Sequence, residues 1–299
     1  MSVPIKGVAV YPTIRPHNEK AAATWSSGGA AYEKVSETIA DALQHVVDRL
    51  NPRPGEKCLD VATGTGWTAR LVKSRGADVV GVDIGAGVIE AAKRLATDID
   101  FRIGDAEELE FSDASFDAVI STFGVMFVAR PEDAARELAR VCRNGGRLGI
   151  CSWPPGDTVE GLFHVMRPYM PPPPPNPPPS PFEWGKPERL RELLGGEFDL
   201  RFEKGVTTLR MPSGKAVWDL FVEGYGPTRT LAAAVGIGAP LSAANRARTT
   251  SPPTAAEGTS VLTDSPIQRI QNSCHSDSRS DFGKSAHHAI ASRNTGTAR

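Results

Sequence analysis

Between residues 57 and 153 five short apolar runs are separated by amphipathic stretches, and a chain written this way has few folds open to it. The runs at 57–62, 78–83, 99–103, 116–122 and 146–153 read as strands, and 66–75, 87–97 and 131–143 read as the helices between them. Gly76 suits the position just past a helix end, while Pro131, Glu132 and Asp133 suit a first helical turn. Strands and helices in alternation give a Rossmann-like, doubly wound, mostly parallel α/β sheet with helices on both faces. In such sheets ligands sit outside the carboxyl ends of the strands, where the strand order reverses. The loops after the first, second and fourth strands are therefore where chemistry is expected.

Four segments follow from this pattern: an N-terminal arm or lid at 1–30, the ligand-binding core at 31–153, a substrate-side region at 154–235, and a tail at 236–299. The arm is polar and punctuated by Pro and Gly. Val35, Ile39, Leu43, Val46, Val47 and Leu50 then recur at helical spacing, stopped by Asn51–Pro52. Past Trp153 a helix is expected at 158–168, followed by a proline-rich stretch at 170–185 that can be neither helix nor central strand and reads as extended polyproline II. A short helix at 187–194, a strand at 200–211 and a helix at 213–225 complete the region. The tail is rich in Ser, Thr, Ala and Arg, holds no period, and has Phe282 as its one aromatic, so it reads as disordered.

The first chemical signal is the run from Cys58 to Trp67, a strand that enters a glycine-rich turn opening a helix. Gly64 and Gly66 permit the tight turn and the close approach of a ligand to backbone. Gly64, Gly66 and Ala69 also satisfy the dinucleotide fingerprint, so the turn alone does not choose a ligand. Asp60 discriminates. A glycine loop facing an anionic pyrophosphate keeps apolar residues at that place, whereas a ligand bearing a sulfonium and an α-amino group attracts a carboxylate. Asp83 closes the second strand, 17 positions beyond Gly66, where an acid can accept hydrogen bonds from both ribose hydroxyls. Asp105 begins a polar turn after the third strand that can meet an adenine amino group, and Ser121 marks the polar exit of the fourth.

In order and spacing, LDVATGTG, GVDIGAGVIEAAKRL, GDAEELEFSDASFDAVIST and RVCRNGGRLGICSW resemble the successive motifs of class I S-adenosylmethionine-dependent methyltransferases. The resemblance is greatest to the ubiquinone/menaquinone-biosynthesis-type group of small-molecule methyltransferases, and it covers roughly residues 20–230. It implies S-adenosylmethionine as cofactor, held by Asp60, Gly64, Gly66, Asp83, Asp105, Ala106 and Ser121. Ala62 and Ile84, at the ends of the first two strands, complete the expected set. It also implies that residues 24–29 close over the cofactor. Asn144–Gly145 stands where the group has Pro–Gly. A larger departure concerns the last strand, which in this fold inserts antiparallel between the fifth and sixth. It is expected to be missing here, the nearest candidate being the short run at 259–263, and the C-terminus reads as foreign to the fold.

The expected activity is methyl transfer to a small organic acceptor by in-line displacement, with no catalytic base assigned. Tyr11, Trp25 and Phe123 are candidates for the acceptor pocket, and His164 reads as a surface or packing residue. The alternatives are an NAD(P)-dependent oxidoreductase, which leaves Asp60 and Asp105 unexplained, and a non-catalytic cofactor-binding or interaction protein. With 34 basic and 35 acidic side chains the net charge is −1, which gives no reason to expect nucleic acid as partner. Cys58, Cys142, Cys151 and Cys274 form neither a disulfide framework nor a zinc site, and no run of 18 apolar residues exists. A cytoplasmic protein without bound metal or membrane span is expected. Cys274–His275, His287–His288 and the triplet Asp281–Phe282–Gly283 read as chance matches in the tail.

Overall fold

A computed structural model of the chain describes residues 14–173, 175–236 and 280–294. Its centre is a seven-stranded sheet in the order β3-β2-β1-β4-β5-β7-β6. The strands are β1 (Lys57–Val61), β2 (Asp78–Asp83), β3 (Asp100–Ile103), β4 (Phe116–Thr122), β5 (Cys142–Ser152), β6 (Phe198–Met211) and β7 (Ser280–Arg293). The first five pair in parallel, and β7 pairs antiparallel with both β5 and β6. The expected α/β class and parallel core are therefore present. Strand order reverses between β1 and β4, because the chain builds outward from β1 in both directions.

The connecting helices begin and end where local chemistry dictates. Helix α1 (Glu19–Ser26) and helix α2 (Tyr32–Glu37) precede α3 (Ala40–Leu50). The single helix expected across residues 35–50 is thus two, because Thr38 Oγ1 donates back to Val35 O and Ile39 leaves the helical region at φ −128°. Asn51 ends α3 in the left-handed conformation, which Asn tolerates. Helices α4 (Trp67–Ser74), α5 (Ala86–Leu95) and α6 (Pro131–Val141) follow β1, β2 and β4. In α6, Pro131 opens the helix and Glu132 and Asp133 sit at its positive end. Helices α7 (Thr158–Met166), α8 (Pro187–Leu194), α9 (Gly214–Gly224) and α10 (Gly226–Ala234) complete the described chain before β7. Val46, Val47 and Leu50 of α3 are wholly buried beneath the sheet, with Gly149 of β5 leaving room for Val46.

Three expectations are corrected. The N-terminal arm is helical from Pro16 onward, its 3-10 turn at Pro16–Asn18 leading directly into α1. The proline-rich stretch is exposed through its described residues up to Ser180, but Pro181–Gly185 forms a 3-10 turn that buries Phe182 and Trp184. Most consequentially, the last strand is present as β7, in the slot between β5 and β6 where it was expected to be missing. The run at 259–263, like Tyr11, Cys274 and His275, lies outside the described residues.

The tail concealed β7 because a strand covered on both faces need not alternate, and this one is packed with small residues. Ala286, Ala289 and Ala291 are buried, and none of them is a strong strand former. The adjacent histidines point to opposite faces. His287 Nδ1 donates to Gly185 O at 2.6 Å, while His288 lies buried with its ring 4.7 Å from that of His45 in α3. Burial pushes His288 down to about 4. These histidines are parts of the sheet rather than of a disordered tail.

Candidate cofactor and acceptor site

The carboxyl ends of β1 to β4 converge on one cavity. Of the nine residues expected to hold a cofactor, Ala62, Gly64, Asp83, Ile84, Asp105 and Ala106 line it. Asp60, Gly66 and Ser121 stand behind the wall. Gly66 turns the chain into α4 at φ +82°, and a Cβ there would come within 2.5 Å of the Phe101 ring. Ser121 Oγ donates to Val61 O at 2.7 Å and accepts from Val125 N at 3.2 Å, which ties the end of β1 to the turn after β4.

Asp83 sits at the floor of the cavity. Its Oδ2 accepts from Gly64 N at 2.9 Å and its Oδ1 from Gly85 N at 2.8 Å. A carboxylate has about four acceptor directions, and with the Ile84 amide also bonded to it Asp83 keeps one for a ligand. Burial raises this carboxyl, and the Gly85 and Gly64 amides oppose the rise. Asp60 is wholly buried one residue behind the wall. Thr63 Oγ1 donates to its Oδ2 at 2.6 Å, while Oδ1 has no partner. Burial pushes its carboxyl up to about 7; Thr63 counters this and the charge of Asp83 adds to it. Among the described residues neither Asp60 nor Asp83 is ion-paired.

Asp105 is placed differently. Asn18 Nδ2 reaches both its oxygens at 3.2 and 2.9 Å, Arg15 N reaches Oδ2 at 3.2 Å, and Glu107 N reaches Oδ1 at 3.0 Å. Its acceptor directions are all occupied, so the side chain organises the covering segment. That segment is pinned further by His17 Nε2 against Glu107 at 2.6 Å and by Arg15 against Glu108 and Asp133 at 3.1 and 2.5 Å. Asn18, Ala21 and Trp25 consequently roof the cavity.

A second cavity opens beside the first and shares Tyr32, Phe123 and Phe127 with it. It is lined chiefly by apolar and aromatic side chains from α7 and α9, and no charged side chain lines it among the described residues. Phe123 stacks on Trp153 with centroids 3.9 Å apart. Ala62 and Phe123, both on the wall of the first cavity, are held at φ +58°, a strained left-handed conformation for residues with a Cβ. Of the acceptor-pocket candidates, Phe123 lines both cavities, Trp25 lines the first, and His164 is exposed on α7. Asn18, Tyr32 and Phe127 were not anticipated. For Phe127 the aromatic-rich run after β4 was a usable signal; for Asn18 there was none.

The profile of the family described as a methyltransferase domain matches residues 59–150, the span that builds the cavity floor. An uncharacterized protein of Mycobacterium tuberculosis is 35% identical over 231 residues, which covers 74% of this chain and 82% of that protein. The chain belongs to the class I S-adenosylmethionine-dependent methyltransferases. A demethylmenaquinone methyltransferase of Renibacterium salmoninarum shares 43% identity over 108 residues, 36% of this enzyme and 46% of its own length. In fold, this methyltransferase is similar to the YcgJ protein from Bacillus subtilis, at TM-score 0.55 and 19% identity, covering 86% of one chain and 99% of the other. A putative methyltransferase of Bacillus halodurans gives TM-score 0.51 at 17% identity, with 86% and 100% covered. Among the described residues no helix is long and apolar enough to cross a membrane, and no group of three or more His, Cys, Asp or Glu could hold a metal ion.

Proposed function

We propose that this enzyme transfers a methyl group from S-adenosylmethionine to a small, largely apolar organic acceptor. The observation that carries the reading is the pair of carboxylates, Asp60 and Asp83, left without a cation at a ligand cavity. Buried like charges repel and favour a cationic ligand, whereas a dinucleotide would set a pyrophosphate against them. The residues fit S-adenosylmethionine. Asp83 keeps an acceptor direction for a ribose hydroxyl. Ile84, Ala106 and Val128 line the first cavity, where they offer a purine an apolar slot beneath the Asn18 roof. Trp25 and Tyr32 set aromatic faces where a sulfonium would benefit from them. Gly66 and Ser121 act by shaping the wall. When bound, the cofactor supplies a methyl group already activated by a good leaving group.

In this reading residues 31–153 hold the cofactor and residues 154–235 supply much of the acceptor side. The protein's task is alignment and exclusion of water. Tyr32, Phe123 and Phe127 stand where the two cavities meet, so they set the approach of acceptor to methyl donor. The lining of the second cavity favours an uncharged acceptor, because a charged one would lose its hydration without a partner. Cys58, Cys142 and Cys151 are buried free thiols, in keeping with a reducing, cytoplasmic setting.

The full chain, incubated with radiolabelled S-adenosylmethionine and a panel of hydroxylated bicyclic aromatics, is expected to place label in a solvent-extractable product. A parallel panel of amino acids and nucleosides is expected to stay unlabelled. Labelling confined to the polar panel would contradict the acceptor class.

A further inference from the structure

Tyr32 and Tyr225 meet across Trp25 at the inner end of the apolar cavity. The Trp25 ring stands edge-on to both, with centroids 6.4 Å from Tyr32 and 5.5 Å from Tyr225. Tyr32 lies at the junction, its ring so close over the glycine loop that a Cβ on Gly64 would come within 3.1 Å of it. Tyr225 connects α9 to α10 and lines the apolar cavity alone. A buried tyrosine ordinarily finds a hydrogen-bond partner for its hydroxyl. Among the described residues neither hydroxyl makes a hydrogen bond, and both side chains line the apolar cavity, Tyr225 buried and Tyr32 half-buried. Burial raises both phenols well above the ordinary tyrosine range, with Asp83 adding to the rise at Tyr32 and Tyr32 adding to that at Tyr225. They stay protonated and can donate.

Thr38, Thr158, Trp153 and Trp218 are the other polar side chains on the wall. Thr38 Oγ1 is directed to Val35 O, and the remaining α7 and α9 residues around the cavity are mostly apolar, among them Leu162, Phe163 and Phe221. The cavity therefore has an apolar body, with the Tyr32 phenol at its junction with the first cavity and the Tyr225 phenol packed against Trp25, which lines that first cavity.

We propose that Tyr32 and Tyr225 form the polar end of the acceptor site and donate hydrogen bonds to an acceptor oxygen, so that the ligand is an uncharged, apolar molecule carrying a carbonyl, ether or phenolic oxygen at its leading end. This rests on the reading of the first cavity as the S-adenosylmethionine site. An oxygen bound there fixes which end of an otherwise featureless apolar ligand faces the methyl donor. Orientation is the one thing that apolar packing, being non-directional, cannot supply. Tyr32 and Tyr225 are thus positioning residues that select for an oxygen, rather than proton acceptors.

The test uses two probes of one shape, 1-tetralone and tetralin, which differ by a carbonyl oxygen. Each is titrated into the full-length enzyme saturated with S-adenosylhomocysteine. The wild type is expected to bind 1-tetralone about three- to tenfold more tightly than tetralin, the range of one hydrogen bond. Tyr225→Phe and the double variant Tyr32→Phe/Tyr225→Phe are expected to lose that preference while still binding tetralin. S-adenosylhomocysteine affinity, measured in the same samples, reports on the cofactor cavity and on folding. Tyr225→Phe is expected to leave it unchanged, since Tyr225 does not line that cavity. Equal binding of the two probes by the wild type, binding of neither, or a preference that survives in Tyr225→Phe and in the double variant would overturn the proposal. Failure of the wild type to bind S-adenosylhomocysteine would overturn the underlying cofactor reading instead.

Discussion

Asp60 illustrates how a single residue can weaken the fold it belongs to. Its carboxyl is wholly buried, holds one bond from Thr63, and is pushed up to about 7, against roughly 3.9 for an unfolded aspartate. Between those two values the folded chain binds a proton that the unfolded chain releases. Stability is therefore lost as pH rises from about 4 towards 7, and the deficit is constant above. Asp60→Asn keeps an acceptor for Thr63 and removes the charge. Its melting temperature is expected to exceed the wild type's by a margin that grows from pH 4 to pH 7 and then levels, measured by circular dichroism. A margin independent of pH would show that Asp60 is not the titrating group. The same substitution is expected to weaken S-adenosylmethionine more than S-adenosylhomocysteine, since only the former carries the sulfonium charge.

Among elements, β7 repays the closest study. It supplies the antiparallel ladder to both β5 and β6, which without it would present two open edges to water and to each other. Ala289 pairs with Ile150 and Phe202 and is buried, whereas Ser292, three residues on, is exposed. Ala289→Leu is expected to cost about 1–3 kcal/mol in urea unfolding through overpacking, and Ser292→Leu about 0.5 kcal/mol or less. Equal tolerance of both would place the strand outside the sheet. The first five strands were legible because parallel strands buried on both faces read as β-branched apolar runs, and Gly66, Gly76 and Pro131 punctuate them. The acids at strand ends were legible for the same reason, since Asp60 and Asp83 interrupt such runs. β7 was not, because Ala, Ser and His carry no strand signal of their own and its pairing is set by partners distant in sequence. The roof was hidden similarly. Asn18 acquires its meaning only from Asp105, 87 positions away.

At the scale of the whole molecule, the sheet places a cavity carrying Asp83 and Asp105 at its switch point and an apolar cavity beside it. In the proposed reading the first takes the cofactor and the second an uncharged acceptor, and the two meet at three aromatic side chains. The N-terminal segment covers the first cavity, pinned by Asn18, His17 and Arg15 to Asp105, Glu107 and Asp133. The most direct test of this account is calorimetric titration of S-adenosylmethionine into the full-length enzyme, with NADH as control and Asp83→Ala as the variant. The account predicts one-to-one binding of S-adenosylmethionine, no heat with NADH, and affinity about 10- to 100-fold weaker in Asp83→Ala, as expected for losing hydrogen bonds to a charged group. Binding of NADH in preference, or S-adenosylmethionine binding unaffected by Asp83→Ala in a folded sample, would contradict it.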